Sequence, residues 1–208
     1  MTDLIKEQFH YVYLASKSPR RRAILKKMGV RFELIVFSRS TGVDLDEKPL
    51  ANENIHEYSE RITREKLQLG WNAVNERKLL PSPVLVADTC IGFQDQIIGK
   101  PSNLDDAFNI LSKLSGNIHN VYTTIAIQFG DSCELVTTKS EVKFRKLLPD
   151  EIRRYISFGE SIDKAGAYSI QDRGEMLVDK INGSYSNIIG LPIATTLNIL
   201  RKFNINVF

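Results

Sequence analysis

Apolar and polar residues follow two kinds of pattern along the chain. Short apolar runs between polar loops predict strands, and apolar residues three or four positions apart predict helices. The predicted strands are residues 12–15, 31–37, 84–87, 121–129, 135–144, 167–170 and 176–181, with a hairpin over 92–99. The predicted helices are residues 19–28, 55–78, 149–158 and 192–203, with a further helix that starts at Asn103 or Asp105 and ends at Leu114. Strand–helix units mixed with hairpins predict an α/β fold with a mixed sheet.

The loop after the first strand has the features of an anion site. The chain reads VYLASKSPRRRAILKKMG over residues 12–29, with Ser18 at the N-cap and Pro19 at the first helical position. Free backbone N–H groups would then face the space beyond the strand, beside the guanidinium groups of Arg20 and Arg21. This arrangement suits a phosphate chain. The same letters also suit a plain helix start with solvated arginines.

Length and composition narrow the class of protein. A chain of 208 residues with 42% apolar and 25% charged residues can bury a core as one domain or two small lobes. No apolar run reaches about 18 residues, and residues 1–10 are an extension without the apolar segment of a secretory signal. Cys90 and Cys133 lack metal-ligand spacing, which indicates a reducing, cytoplasmic setting. The net charge of +3 does not by itself predict nucleic-acid binding.

A second stretch, VLVADTCIGFQDQIIGKP over residues 84–101, combines an acid and a cation. Asp88 and Thr89 would follow a buried strand, and the hairpin turning at Asp95 would bring Lys100 back towards Asp88. A carboxylate can orient water or bind a metal, and an ammonium can neutralise phosphate charge. An Asp that only caps a turn is the alternative interpretation.

A third stretch, residues 161–192, is rich in small residues that let backbone approach a ligand closely. Gln171 follows an apolar segment there, and its amide carries both a donor and an acceptor. These groups suit the edge of a uracil or thymine base.

Together these stretches resemble the Maf family of nucleotide pyrophosphatases. The matching motifs are S-K-S-P-R-R, A-D-T followed by G-K-P, L-S-G-N-I-H-N-V, and D-K-A-G-A-Y-S-I-Q followed by G-S-Y-S-N-I-I-G-L-P. They span about residues 12–192 in the family's order. The resemblance implies a single Maf-like domain over residues 11–208, with an elongated mixed sheet, helices on both sides and a cleft between two lobes.

The resemblance also assigns roles to residues. Asp88 would be the proton acceptor for the attacking water. Glu47 and Asp88 would hold a divalent cation, for which Mg²⁺ or Mn²⁺ suits oxygen ligands. The residues implied to bind substrate are Ser16, Ser18, Arg20, Arg21, Lys66, Thr89, Lys100 and Gln171. For Glu47 and Lys66, solvated surface charges are the alternative interpretation.

Three positions, Arg20, Thr89 and Gln171, match the branch of the family that acts on dTTP and UTP. The resemblance therefore implies hydrolysis of these nucleotides, or of modified pyrimidine nucleotides, to monophosphate and pyrophosphate, by a homodimer. Lys17 and the pair Asp172-Arg173 depart from the family pattern beside the expected pocket. The alternatives are the 7-methyl-GTP branch and a non-enzymatic binding protein that regulates cell division, although no DNA-reading motif occurs.

Overall fold

The protein folds around one mixed sheet of seven strands; the computed structural model describes residues 8–35 and 47–207. The strands are β1 (Val12–Leu14), β2 (Phe32–Leu34), β3 (Val84–Phe93), β4 (Gln96–Ile98), β5 (Ile118–Phe129), β6 (Ser132–Phe144) and β7 (Val178–Asn182). The helices are α1 (Pro19–Lys27), α2 (Ile55–Glu76), α3 (Leu104–Leu114), α4 (Pro149–Ser157), α5 (Tyr185–Ile189) and α6 (Ile193–Lys202).

The strand order is β2-β1-β3-β5-β6-β7, with β4 paired to β3 outside that path. The strand β1 runs parallel to β2 and β3, whereas β3–β4, β3–β5, β5–β6 and β6–β7 are antiparallel. The predicted α/β fold with a mixed sheet is therefore confirmed.

Helices lie on both faces of the sheet, and the side chains of β3 point alternately towards one face and the other. Leu85 and Ala87 pack in one core cluster with residues of α1 and α6. Val84 and Val86 point the other way and pack in a second cluster with residues of α2. Successive side chains of a strand face opposite sides, so Asp88 lies on the α2 face and Thr89 on the α1 face.

A further core cluster lies at the other half of the sheet. The far end of β3, at Ile91 and Phe93, packs there against residues of α3 and α4. The core thus has one large part around α1 and α6 and another around α3 and α4, and this division agrees with the two lobes that the resemblance implies. In the described part of the chain, no helix combines the length and apolar character needed to cross a bilayer.

Asp88 and Thr89 lie inside a strand, not after its end, so that prediction is wrong. The parallel pairing with β1 reaches Leu85, and the antiparallel pairing with β4 begins at Ile91. Residues 86–90 between them pair with β5 alone among the described strands. The apolar run stops at Ala87, whereas the strand continues through Asp88 and Thr89 to Phe93.

The C-terminal third differs from prediction at three places. Residues 167–170 form no strand, because Gly166 and Ala167 have positive φ and belong to a 3₁₀ turn over Ala165–Ala167. The strand predicted from residue 176 begins at Val178 as β7, after a 3₁₀ turn over Arg173–Leu177. Residues 185–189, for which the sequence pattern predicts no helix or strand, form α5.

Other boundaries agree with the sequence patterns. The helix α1 begins with Ser18 as its N-cap, and Gly29 follows its end with a φ of 70°. Of the strand predicted over residues 31–37, the part from 36 onwards lies outside the described residues. At the N-terminus, Phe9 pairs with Ile205 in an isolated bridge and stacks on Phe129, so this part of the extension packs on the body of the protein.

Candidate active site

Serine hydroxyls organise the loop between β1 and α1. Ser16 Oγ accepts hydrogen bonds from the backbone N–H of Ser18 at 3.2 Å and from Arg21 Nη1 at 3.2 Å. Ser18 Oγ accepts one from the backbone N–H of Arg21 at 3.4 Å, as an N-cap does. These contacts use the hydroxyl oxygens as acceptors, so the hydroxyl protons can be donated to an anion.

The two arginines of α1 have different surroundings. Arg21 donates from Nε to the Gly190 carbonyl at 2.8 Å and from Nη2 to Thr89 Oγ1 at 3.1 Å, in addition to its contact with Ser16. Arg20 donates from Nη1 to Ser169 Oγ at 3.4 Å, and its buried Nε has no hydrogen-bond partner among the described residues. A buried hydrogen-bond donor without a partner costs free energy, so Arg20 would gain more than Arg21 from a ligand that supplies a hydrogen-bond acceptor.

Four charged residues of alternating sign form a row of ion pairs that starts at Asp88 in β3 and ends at Lys100. Lys66 Nζ of α2 lies 2.6 Å from Asp88 Oδ1 and 2.8 Å from Glu47 Oε1. Lys100 Nζ lies 3.2 Å from Glu47 Oε2. The side chains of Asp88 and Lys66 are 13% and 18% exposed, whereas that of Lys100 is 55% exposed, so the row runs from the interior to the surface. Lys100 is thus linked to Asp88 through Glu47 and Lys66.

The pKa shifts of Lys66 and Glu47 determine the charge of these two groups at neutral pH. Burial lowers the pKa of Lys66, but the carboxylates of Asp88 and Glu47 outweigh that effect and raise it above the ordinary value. Burial raises the pKa of Glu47, and the ammonium groups of Lys66 and Lys100 overcome it, so the net shift is downwards. Both partners of the Lys66–Glu47 pair are therefore ionised at neutral pH.

Thr89 and Gln171, the two residues expected to read the base, lie in different environments. Thr89 is half-buried, and its hydroxyl meets Arg21 and Thr123 Oγ1, the latter at 2.9 Å. Gly190 has a φ of +115°, and a Cβ there would lie 3.2 Å from Thr89 Oγ1, so glycine permits this close approach. Gln171 is exposed, and the segment that carries it reaches Arg20 through Ser169.

The segment of Gln171 is held on both sides. Before it, the backbone N–H of Ser169 donates to Tyr155 Oη at 3.2 Å. After it, a Cβ on Gly174 would lie 2.2 Å from the Ser169 carbonyl oxygen, so the backbone at Gly174 packs directly against the backbone at Ser169. Arg173 donates from Nη1 and from its backbone N–H to the Glu160 carboxylate at 2.8 and 3.1 Å. Arg173, which departs from the family pattern, is therefore bound to Glu160.

Comparison with known proteins places the chain in a family. The model of the family described as Maf-like protein matches residues 11–203. A dTTP/UTP pyrophosphatase of Aromatoleum aromaticum is 44% identical over 195 residues, which cover 92% of this chain and 95% of that protein. A dTTP/UTP pyrophosphatase of Dechloromonas aromatica is 44% identical over 193 residues, with 92% and 96% covered. The chain belongs to the Maf family.

A further relative and one solved structure extend this comparison. A nucleoside triphosphate pyrophosphatase of Haemophilus ducreyi is 38% identical over 196 residues, covering 94% of this chain and 96% of that protein. The structure of a HAM1 protein from Coxiella burnetii covers 93% of this chain and 100% of its own, with a TM-score of 0.50 and 11% identity. That likeness concerns the fold alone, whereas the resemblance of the four sequence motifs to the Maf family is confirmed by the family match.

The residues expected to hold a divalent cation in this Maf protein converge. Glu47 and Asp88 each place one carboxylate oxygen within 2.8 Å of the same cation, the ammonium of Lys66. Two carboxylates are a fitting partial ligand set for Mg²⁺ or Mn²⁺, which keep water and take substrate phosphates as further ligands. Within residues 8–35 and 47–207, no group of three His, Cys, Asp or Glu residues could hold a metal alone.

Several residues of the site carried no recognisable signal in the sequence. Thr123 contacts Thr89 and also donates to the Asn187 carbonyl, but in the sequence Thr123 belongs to an ordinary strand pattern. Tyr58 Oη donates to the Glu47 carbonyl at 2.9 Å and so holds the backbone of Glu47. Cys90 is a core residue, as its sequence context indicated, and burial raises the pKa of its thiol to about 12.

Proposed function

We propose that this protein is a nucleoside triphosphate pyrophosphatase that hydrolyses dTTP and UTP to the monophosphate and pyrophosphate. The names of its relatives from Aromatoleum aromaticum and Dechloromonas aromatica support this substrate choice. The structural observation that carries the proposal is the position of Asp88. It lies 2.6 Å from Lys66 Nζ, in the part of β3 beyond its pairing with β1, where β1 leads into the loop of Arg21.

Parallel strands explain why these groups meet. Leu14 of β1 pairs with Leu85 of β3, so the residues that follow each of them lie at the same edge. Arg21 bridges the two directly through its 3.1 Å contact with Thr89, the neighbour of Asp88. An acceptor for a proton and donors for phosphate oxygens are thus brought together at one place.

In the proposed reaction, the carboxylate of Asp88 accepts a proton from water as the water oxygen bonds to phosphorus. The anhydride bond between the α and β phosphates breaks, and pyrophosphate leaves with the electron pair. The Ser16, Ser18, Arg20 and Arg21 groups, with Lys66 and Lys100, hold the phosphates and stabilise the developing charge. Glu47 and Asp88 would hold Mg²⁺ or Mn²⁺, which supplies further neutralisation of phosphate charge.

The base would be recognised by Thr89 and Gln171. The exposed amide of Gln171 offers one donor and one acceptor, which match O4 and N3–H of uracil or thymine. The preference for dTTP and UTP over 7-methyl-GTP follows from this match, because the purine presents a different pattern of donors and acceptors.

The setting of the enzyme is also part of the proposal. We expect a cytoplasmic protein, because Cys90 and Cys133 are both free thiols, as a reducing compartment favours. We further expect a homodimer that binds no nucleic acid. Sedimentation would test whether the protein is a dimer, and a DNA mobility shift at several salt concentrations would test whether it binds nucleic acid.

Pyrophosphate release from dTTP, UTP, CTP and 7-methyl-GTP, with Mg²⁺ or Mn²⁺, tests the function. Removal of the proton acceptor in Asp88→Asn should lower kcat by about 10²- to 10⁴-fold. Asp95→Asn is the matched control, since Asp95 is an exposed turn residue of the same β3–β4 ribbon, with a φ of 59° that Asn tolerates. Wild-type protein that releases no pyrophosphate from any of the four nucleotides would refute the proposal.

A further inference from the structure

A chain of hydrogen bonds runs from Arg21 into the interior of the sheet. Arg21 Nη2 contacts Thr89 Oγ1 at 3.1 Å, and Thr89 Oγ1 contacts Thr123 Oγ1 at 2.9 Å. Thr123 Oγ1 then donates to the backbone carbonyl of Asn187 in α5 at 2.9 Å. Thr123 is fully buried opposite Thr89 on β5, so this chain connects α1, β3, β5 and α5.

The two ends of the chain determine the direction of every hydrogen bond in it. A carbonyl oxygen can only accept, so the single hydroxyl proton of Thr123 goes to Asn187. Thr123 must then accept in its contact with Thr89, which uses the single hydroxyl proton of Thr89. A guanidinium can only donate, so a lone pair of Thr89 receives the N–H of Arg21. The chain is therefore polarised from Arg21 towards Asn187.

This polarity fixes the guanidinium group. Arg21 is held through Nε by the Gly190 carbonyl, through Nη1 by Ser16 and through Nη2 by Thr89. An arginine side chain has five N–H donors, so one on each terminal nitrogen is available beyond these three contacts. Two such donors are what a bidentate contact with a phosphate uses.

We propose that Thr123 is a positioning residue for Arg21, an inference that rests on the proposed function for the identity of the bound anion. Thr123 takes the hydroxyl proton of Thr89, and Thr89 thereby presents a lone pair to Arg21. Without the Thr123 hydroxyl, the Thr89 proton has lost its acceptor and the hydroxyl rotates among other orientations. Arg21 is then held at two points and meets the phosphates in a less defined orientation, although Thr123 itself touches no ligand.

The test compares Thr123→Val with Thr123→Ser and Thr124→Val. Valine keeps the shape of threonine without the hydroxyl, and serine keeps the hydroxyl. Thr124 is the matched control, because it is equally buried on β5 and its hydroxyl contacts Ser59 and Thr137 at 2.6 and 2.8 Å, on the α2 face away from Arg21. Both valine variants lose buried hydrogen bonds, so a general loss of stability affects both.

Two measurements distinguish a failure of this inference from a failure of the proposed function. Calorimetric titration with inorganic tripolyphosphate reports on the anion site without hydrolysis, and dTTP hydrolysis reports KM and kcat. For Thr123→Val we expect tripolyphosphate Kd and dTTP KM to rise about 3- to 10-fold, with kcat changed by less than about 2-fold. Thr123→Ser and Thr124→Val should stay near the wild-type values.

Weaker tripolyphosphate binding by Thr123→Val alone supports the positioning role even if the wild-type protein hydrolyses none of the nucleotides. Equal Kd values for wild type and Thr123→Val overturn it. An equal loss in Thr124→Val overturns it too, because the effect would then come from packing. Wild-type protein that binds no tripolyphosphate also overturns it, since Arg21 would serve no anion site.

Discussion

Lys66 Nζ lies 2.6 Å from Asp88 Oδ1, and the same ammonium lies 2.8 Å from Glu47 Oε1. One cation therefore holds together the two carboxylates that we propose as ligands of a divalent metal. The arrangement favours the charged forms of Lys66 and Glu47, because the carboxylates raise the pKa of Lys66 and the ammonium groups of Lys66 and Lys100 lower that of Glu47. Lys66 thus offsets the repulsion between the carboxylates of Glu47 and Asp88. We expect the two carboxylates to supply oxygen ligands to a divalent cation.

Glu47→Gln should weaken metal binding more than it weakens chemistry. The amide keeps one oxygen ligand but removes a negative charge, so the Mg²⁺ concentration for half-maximal pyrophosphate release should rise about 10-fold. The value of kcat at saturating Mg²⁺ should change by less than about 3-fold. Glu141→Gln is the control, because Glu141 is an exposed carboxylate paired with Lys139 on β6. An unchanged Mg²⁺ dependence in Glu47→Gln would argue against Glu47 as a ligand.

Arg20→Ala should weaken nucleotide binding. Arg20 has a buried Nε with no partner in the described part of the chain and one contact of 3.4 Å to Ser169, so we expect substrate phosphate to supply a further partner. A hydrogen bond between charged groups is worth about 1.5–3 kcal/mol, so the KM for dTTP should rise about 10- to 100-fold.

Two companion variants make that measurement specific. Arg20→Lys should recover part of the loss, because lysine supplies the charge without the planar fork. Arg22→Ala removes the next arginine of α1 and controls for net charge. If Arg22→Ala raises KM as much as Arg20→Ala, the effect is one of general electrostatic attraction and not of a specific contact.

Prediction from sequence succeeded where local chemistry decides the structure. Ser18 and Pro19 mark the start of α1 with groups that act within one helical turn. The position of Asp88 within β3 could not be predicted in the same way. Residues 86–90 pair with β5 but not with β1 or β4, and this depends on where the pairing with β1 ends and that with β4 begins. An apolar run shows which strand residues are buried and not where the strand ends.

The candidate site shows the same division. The motifs identified Asp88, Lys66 and Glu47, and the structure brings them into direct contact. Thr123 carried no signal, because a β-branched residue in a strand is ordinary and its importance arises from the residue across the sheet. Long-range pairing, which one sequence does not reveal, is the source of what prediction missed.

Arg173→Ala should loosen Gln171, the residue that we propose to read the base, without unfolding the protein. Arg173 fastens the segment of Gln171 to Glu160, and its guanidinium carbon lies 4.3 Å from the centre of the Phe158 ring. A partly exposed ion pair contributes little to stability, so the melting temperature should hardly change. The looser segment should raise the KM for dTTP about 3-fold and reduce discrimination against CTP.

The control for Arg173→Ala is Lys143→Ala, which breaks an exposed ion pair of 2.7 Å with Asp179 between β6 and β7. High salt should reproduce part of the Arg173→Ala effect in the wild-type protein, because it screens the exposed pair. Unchanged KM and unchanged discrimination in Arg173→Ala would show that Gln171 is positioned by Ser169 and Gly174 alone.

His119 should make the stability of the protein depend on pH between about 4 and 6.5. Burial lowers the pKa of His119 to about 4, and the ring meets Tyr168 Oη at 2.8 Å and the edge of Phe144. The unfolded chain, with an ordinary histidine pKa of about 6.5, binds more protons in this range than the folded protein. The stabilisation from the neutral ring is therefore present above about pH 6.5 and lost as the pH falls towards 4.

Between pH 7 and pH 5, this linkage should lower the free energy of unfolding by about 2 kcal/mol. Urea unfolding at the two pH values measures the difference directly. His119→Gln keeps a polar group near Tyr168 but cannot be protonated, so it should be less stable at pH 7 and lose much less on acidification. His56→Gln should keep the full pH dependence, because His56 is exposed on α2. A pH dependence that survives in His119→Gln would assign it to other groups.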